Sequence, residues 1–353
     1  MIVTTWFPSA RNPGAGSFIS RDAIALAKDH AVRVVHLAAP ELDDGRREFV
    51  HQGVPVRRLP LDVRRPTGWL RSRLMRAELL DGADVLHTMA APALLPFIDV
   101  RPRIGWVHTE HWSGVTNLAG PGRSRYARPL SRRAFAGPDS VVAVSEYLAD
   151  SVRRLRSAPV SVIGNIVDTA ADEAAVARSD SPLQLLAVGT VKSTKGWALA
   201  LDALRLLRAR GVDAELTWLG DGPELAELRA RATDLPVRTP GHVSPQEVRA
   251  AMRSADVLLL PTASETFSLV TVEALASGLP VVATGQGAHT EFLTPGTGAI
   301  VDRTAGALVD AVIGLRDVDR DIVVSRGAEL SSRFSEANFR RAYTTIYERV
   351  RKP

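Results

Sequence analysis

The sequence contains no cysteine among its 353 residues, which excludes a disulfide framework, a thiolate zinc site, an iron–sulfur cluster and a cysteine nucleophile. Aromatic residues are scarce, at 5%. No apolar run approaches the roughly 18 residues that a membrane-spanning helix requires, and Met1-Ile2-Val3-Thr4 lacks the charged start of a secretory signal. These absences lead to the expectation of a cytoplasmic protein, or one that touches the inner membrane face from the side. There is no repeat of fixed period and no low-complexity segment, so solenoids are excluded. What is present is a globular composition, 45% hydrophobic and 24% charged, which argues against disorder, collagen and coiled coil. The length suggests two domains.

Charge is unevenly distributed. The net formal charge is +5, and residues 1–180 carry all of it, with 24 basic against 19 acidic side chains. Arg57, Arg58, Arg64, Arg65, Arg71, Arg73 and Arg76 form one cluster, and Arg123, Arg125, Arg128, Arg132 and Arg133 form another. Two readings stand side by side: solvated faces of an arginine-rich protein, or patches that attract an anionic lipid or a phosphorylated acceptor. No nucleic-acid motif accompanies either cluster, so nucleic acid is not expected as a partner.

Apolar runs alternate with helical patterns along the whole chain, which predicts a parallel sheet with helices on both faces, an α/β class. In the first half, strands are expected at Ile2-Val3-Thr4-Thr5, 32–38, 84–87, 104–108 and 141–144, and a helix over 18–28. The stretch 165–182 is acidic, alanine-rich and turn-like, and marks a boundary. The second half repeats the alternation, with strands over 183–189, 214–220, 237–241, 257–260 and 280–283 and helices between them. Helices over 305–315, 322–332 and 336–350 close the chain. In open α/β sheets ligands bind beyond the carboxyl ends of strands, so function is sought in the loops that follow them.

The most informative stretch runs from Pro261 to Thr284. It places Glu265 in a loop leaving a strand and Glu273 inside the following helix, with Ser268, Leu269 and Val270 at that helix's first turn. A helix N-terminus presents unpaired N–H groups and a positive dipole end, a site for a diphosphate. The two carboxylates would accept from neutral hydroxyls of a sugar and a ribose. Glu-x7-Glu followed by Ala-x-x-x-Gly-x-Pro-Val-Val resembles the signature of retaining glycosyltransferase family 4, which has the GT-B fold of two Rossmann-like doubly wound domains facing a central cleft. Val188-Gly189 with Lys195-Gly196, Leu219-Gly220-Asp221-Gly222-Pro223, Gly241-His242-Val243 and Gly164-Asn165-Ile166-Val167-Asp168 extend the likeness over nearly the whole chain.

The resemblance implies an acceptor-binding domain over 1–168, a nucleotide-sugar-binding domain over 169–334, and a final helix over 335–353 that crosses back to the first. It implies a retaining transfer from a nucleotide-diphosphate-sugar donor to a hydroxyl acceptor, by front-face attack and without a metal or other cofactor. Glu265 is implied to contact donor-sugar hydroxyls, Glu273 the ribose and Lys195 the diphosphate. His108 is implied to lie near the anomeric centre. Gly16, in the loop Asn12-Pro13-Gly14-Ala15-Gly16-Ser17, is implied to let the chain approach the diphosphate, and Gly220 and Val243 to border the nucleotide. The sequence departs from the family at Thr190, where arginine is usual, and Lys192 is the candidate to supply that charge. Thr266 stands where glycine is frequent. The acceptor expectation includes lipid-linked and phosphorylated molecules. A nucleotide-sugar 2-epimerase of the same fold and a non-catalytic sugar-nucleotide or glycan binder are the alternatives.

Overall fold

A computed structural model describes residues 1–119, 124–167 and 182–352, with the backbone alone for residues 119 and 124–126. Arg123, the Arg125 side chain, Asp168 and the boundary expected between 168 and 169 lie outside what is described. The chain divides into two compact units, Met1–Ile166 together with Phe334–Pro353, and Val167–Arg333.

The first unit is built on eight strands: β1 (Ile2–Thr4), β2 (Val34–Leu37), β3 (Glu48–His51), β4 (Val54–Leu59), β5 (Val85–Met89), β6 (Gly105–Glu110), β7 (Ser140–Ala143) and β8 (Val160–Val162). Their spatial order is β3-β4-β2-β1-β5-β6-β7-β8. All neighbours are parallel except β3 and β4, a hairpin at the edge. The order reverses between β1 and β5, so the loops after these two strands diverge and leave a crevice. Helices α1 (Ser17–Leu26), α2 (Pro66–Leu74), α3 (Arg76–Leu80), α4 (Gly114–Ala119), α5 (Ser124–Ala136) and α6 (Glu146–Arg153) connect the strands. The central strands are apolar runs buried on both faces, as parallel strands must be when helices cover both sides.

The second unit carries β9 (Leu183–Val188), β10 (Ala214–Leu219), β11 (Val237–Gly241), β12 (Val257–Leu260), β14 (Val281–Thr284) and β16 (Gly298–Val301) in the order β11-β10-β9-β12-β14-β16, all parallel. A separate two-stranded ribbon pairs β13 (Ser264–Glu265) with β15 (Gln286–Gly287). Helices α7 (Trp197–Ala209), α8 (Leu225–Arg231), α9 (Pro245–Ser254), α10 (Leu269–Ala276), α11 (His289–Phe292), α12 (Ala305–Gly314) and α13 (Arg320–Arg333) complete it. Its core joins Trp197, Leu201 and Leu204 of α7 to Leu185, Leu216 and Leu259 of the sheet.

Helix α14 (Glu336–Val350) belongs to the first unit. Phe339, Tyr343 and Ile346 bury against Ile19, Val107 and Met89. Hydrogen bonds fix its position: the Tyr343 hydroxyl meets Thr109 Oγ1 at 2.8 Å and the Tyr347 hydroxyl meets His87 Nδ1 at 2.7 Å. Buried tyrosines need such partners for their hydroxyls.

The first arginine cluster is not a bare positive patch. Arg57 pairs with Glu78, Arg64 with Asp62 and Glu41, Arg65 with Asp62, and Arg73 and Arg76 both with Asp99. Arg58 is a core residue, its side chain 1% exposed, ion-paired to Asp44 with Nε donating to His36 Nδ1 at 3.0 Å. Six of the seven arginines thus share five carboxylate partners, Glu78, Asp44, Glu41, Asp62 and Asp99, several of them distant in sequence, so the cluster keeps only a small positive excess. Among the described residues no helix is long and apolar enough to cross a membrane.

Candidate active site

In the second unit the strand order reverses between β9 and β12, and the loops leaving these neighbours are bonded to one another. Thr194 O, after β9, accepts from Ala263 N at 2.9 Å and from Thr262 Oγ1 at 3.3 Å, both after β12. Thr262 O in turn accepts from Thr284 Oγ1 of β14 at 3.0 Å. The β9 loop ends in a 3-10 turn, Ser193–Lys195, begun by Lys192, which is exposed.

This stacking brings Lys195 to Glu265, with Nζ 2.5 Å from Oε1. The two side chains are 27% and 14% exposed, so the pair is partly shielded from water. Glu265 lies in the ribbon rather than in an open loop. Its carbonyl accepts from Ala288 N at 3.0 Å, and the register sets it beside Gly287. A Cβ at Gly287 would stand 2.4 Å from Glu265 O, so only glycine lets β15 close onto β13 and fix the backbone that carries this carboxylate. Buried His289 lies near Glu265; burial lowers its pKa while the Glu265 charge works the other way.

Helix α10 begins four residues after Glu265. Its first turn is not capped by a side chain: Ser268 stands at the N-cap in the left-handed region, φ 64°, and its Oγ bonds Thr271 Oγ1 at 2.7 Å instead. By contrast α6, α9, α12 and α14 are each capped by a serine or threonine side chain. Leu269, Val270 and Glu273 are half-buried on this helix. Gly220 ends β10 with its N–H donating to Gly241 O at 2.9 Å, and Val243, half-buried, follows β11. Apart from Gly16 and His108, the expected donor-side residues lie in the second unit, at or beyond the carboxyl ends of β9, β10, β11 and β12.

Two of the residues singled out in the first unit, His108 and Gly16, are held by contacts within that unit. His108 is wholly buried on β6, and both ring nitrogens are used inside the unit. Nδ1 lies 3.0 Å from Thr88 Oγ1, and Nε2 lies 3.3 Å from Glu110 Oε2. The Trp106 indole N–H donates to Thr88 Oγ1, whose own hydroxyl lies 3.4 Å from the Val107 carbonyl as well as 3.0 Å from His108 Nδ1. Both ring nitrogens of His108 thus have partners inside the unit. His108 supports Glu110, whose Oε1 accepts from the N–H groups of Ala91, His111 and Trp112 at 3.3, 2.9 and 2.7 Å. The histidine with unused nitrogens is His111, just beyond β6. It is buried and packed on the Phe18 ring, with Nε2 3.8 Å from Asp22 Oδ2 of α1. Neither the His111 nitrogens nor the Asp22 oxygens have a partner at hydrogen-bond distance. The sequence carries little signal for this, because His111 stands three residues beyond the apolar run 104–108 and only the strand's true end at Glu110 brings it to the strand's edge.

Packing within the first unit already requires glycine at position 16. Gly16 precedes α1 at φ 66°, and a Cβ there would stand 2.6 Å from the backbone C and O of Trp6. Gly16→Ala is expected to lower stability by about 2–4 kcal/mol, since both the left-handed conformation and the close backbone contact oppose a side chain. An unchanged denaturant midpoint would show that this loop yields. Among the described residues no group of three or more His, Asp or Glu side chains is placed to hold a metal ion.

Comparison with known proteins agrees with this geometry. The family described as Glycosyltransferase Family 4 matches residues 14–171, and that described as Glycosyl transferases group 1 matches residues 182–317. A GDP-mannose-dependent alpha-(1-6)-phosphatidylinositol dimannoside mannosyltransferase of Mycobacterium tuberculosis is 39% identical over 37% of this chain and 35% of its own length. A phosphatidyl-myo-inositol mannosyltransferase of Mycobacterium leprae is 37% identical over 44% of this chain and 43% of its own. A glycogen synthase of M. tuberculosis is 28% identical over 69% of this chain and 61% of its own. The chain therefore spans between about a third and three fifths of the length of these relatives. Sucrose-phosphate synthase from Thermosynechococcus elongatus superposes with a TM-score of 0.76 at 18% identity, covering 99% of this chain and 98% of that one. Anabaena HepE, solved with UDP and glucose, gives 0.75 at 18% identity, covering 98% and 99%. These likenesses show the GT-B fold, and the matching families do not favour the epimerase reading.

Proposed function

We propose, for a chain that belongs by its two domains to the glycosyltransferases of family 4 and group 1, that it transfers a sugar from a nucleoside-diphosphate donor to a hydroxyl acceptor with retention at the anomeric carbon and without a metal. The observation that carries this reading is the 2.5 Å pairing of Lys195 with Glu265 at the topological switch point of the second unit, just ahead of an uncapped helix that bears Glu273. A cation beside a carboxylate can divide between two neighbouring demands. Lys195 takes the diphosphate, Glu265 the hydroxyls of the sugar, and the backbone N–H groups of Ser268, Leu269 and Val270 the phosphate oxygens. Lys192 lies close enough in sequence to add a second charge, and Glu273 holds the ribose.

In the reaction the acceptor oxygen bonds to the anomeric carbon on the face that the phosphate leaves. The carbon–oxygen bond to the diphosphate breaks, and the acceptor proton passes to the departing phosphate oxygen. The enzyme supplies position and a fixed positive charge where negative charge develops. The acceptor is held by the first unit, and the names of the two mannosyltransferase relatives point toward a phosphatidylinositol-based lipid.

Thermal unfolding with UDP, GDP and ADP, each with and without EDTA, tests the donor half. A ligand at 100 times its Kd should add about 2.7 kcal/mol of stability, and GDP is the first arm because of the mannosyltransferase relatives. No shift with any nucleoside diphosphate would overturn the donor site, and a shift abolished by EDTA would overturn metal independence. Proton NMR of the first product formed distinguishes retention from inversion.

A further inference from the structure

The first unit contains a cavity of about 320 Å³, at the lower end of the roughly 300–1,000 Å³ usual for ligand pockets. Its wall is drawn from the residues that follow four parallel strands: Trp6 after β1, Ala39 after β2, Pro92 after β5 and Trp112 after β6. Leu130 and Phe135 of α5 close it from another side. The cavity thus sits where the β1–β5 reversal opens a crevice, and the same Glu110 carboxylate that anchors the His111 N–H also anchors the Trp112 N–H.

The lining is mainly aliphatic. Its charged side chains, Arg64, Asp62 and Glu41, are spent on one another: Arg64 Nε donates to Asp62 Oδ1 at 2.8 Å and Arg64 Nη2 to Glu41 Oε1 at 3.1 Å. A carbohydrate entering here would strip water from its hydroxyls and find few partners, a cost that binding sites for sugars avoid. A hydrocarbon chain loses nothing by entry. Leu130, 53% exposed although it lines the cavity, is an apolar side chain held at the surface.

We propose that this cavity binds the hydrocarbon chain of a lipid acceptor, and so sets the acceptor class of the transfer proposed above, on which the inference rests. The acyl or prenyl chain lies among Trp6, Trp112, Leu130 and Phe135. The hydroxyl-bearing head group is left outside the apolar wall.

The test uses the full chain and n-alkyl β-glucosides of six, eight and ten carbons, below their micelle concentrations, with binding read by titration calorimetry. Each added methylene should tighten binding by about fourfold while the cavity fills. Ser131→Trp, which fills the space from the α5 wall, and Leu130→Glu, which charges its exposed edge, should each weaken decyl glucoside binding by tenfold or more. Both positions are partly exposed, and an unchanged thermal midpoint checks the fold. A flat chain-length series, equal binding by either folded variant, or tighter binding of p-nitrophenyl than of octyl glucoside would each overturn the proposal. Nucleoside diphosphate titrations on the same samples separate the two readings. Nucleotide binding with a flat series removes the lipid cavity alone, and a steep series without nucleotide binding removes the transferase reading and with it the acceptor role, leaving a hydrocarbon-binding cavity.

Discussion

Replacing Lys195 by alanine is expected to slow sugar transfer by on the order of 10²-fold or more, because it removes a fixed charge from where the leaving diphosphate gains its own. The ion pair makes the expected result more specific than a simple loss. Lys195 and Glu265 touch at 2.5 Å in a partly shielded place, so removing the ammonium also leaves a carboxylate without its counter-ion beside the incoming phosphates. Glu265→Gln keeps the shape, removes that charge, and is expected to cost a similar factor through weaker hold on the sugar. The double variant should be no slower than Lys195→Ala alone, since the unpaired carboxylate that aggravates the single variant is gone; groups acting as a unit are not additive. Turnover of each variant at saturating donor, with thermal midpoints as fold controls, provides the measurement. Rates within threefold of wild type in a folded Lys195→Ala protein would remove Lys195 from the mechanism.

The two residues are singled out in the sequence by the family resemblance, and the strands that carry their loops by pattern; their contact with each other is not legible there. Leu183–Val188 and Val257–Leu260 are continuous apolar runs that can only be buried parallel strands, and the loops after them hold the charged residues. The same logic recovers the helix that begins at Leu269 and the final helix Glu336–Val350. It fails where pairing, not burial, makes the strand. Glu48–His51 alternates exposed and half-buried residues and exists as a strand through its antiparallel register with Val54–Leu59. Ser264–Glu265 is too short to show any period and is a strand only because Gln286–Gly287 lies beside it. Long-range charge pairing is equally hidden: the arginine cluster around Arg64 looks unbalanced along the chain, but Asp99 and Glu41 return to it in space. The end of β6 is hidden for a related reason. Strand β6 runs on to Glu110, two residues further than the apolar run suggests, so the residue just past the strand end is His111.

Asp22→Asn is expected to stabilise the protein at neutral and alkaline pH, with a gain that shrinks toward pH 4. Asp22 is 1% exposed on α1, and neither oxygen has a hydrogen-bond partner. Burial pushes its pKa from 3.8 up to about 8, the nearby Arg21 charge opposing this in part. The other groups that face it give little help. Burial holds His111, 3.8 Å away, down at about 3, with the His108 charge pushing the same way and contact with Asn165 working against both. The phenols of Tyr343 and Tyr347 are raised first by burial and further by the Asp22 charge. The sign follows from proton counting. Between about pH 4 and pH 8 the native state keeps a proton on Asp22 that the unfolded chain has lost, so native stability falls as pH rises through that window. Each tenfold change in an acid constant is worth about 1.4 kcal/mol, so the accumulated cost near pH 7 is on the order of a few kcal/mol. Asparagine has nearly the same shape and no ionisation, so the variant escapes this slope. His111 contributes the opposite slope between about pH 3 and pH 6.5, gaining stability as pH rises, and is present in both proteins, so the difference between them isolates Asp22. Urea midpoints of wild type and Asp22→Asn at pH 4.5, 6 and 8 read that difference directly. A variant equally or less stable at pH 8, or a difference that does not grow with pH, would mean that the carboxyl ionises freely in the native state and that its burial is relieved by groups other than those around it here.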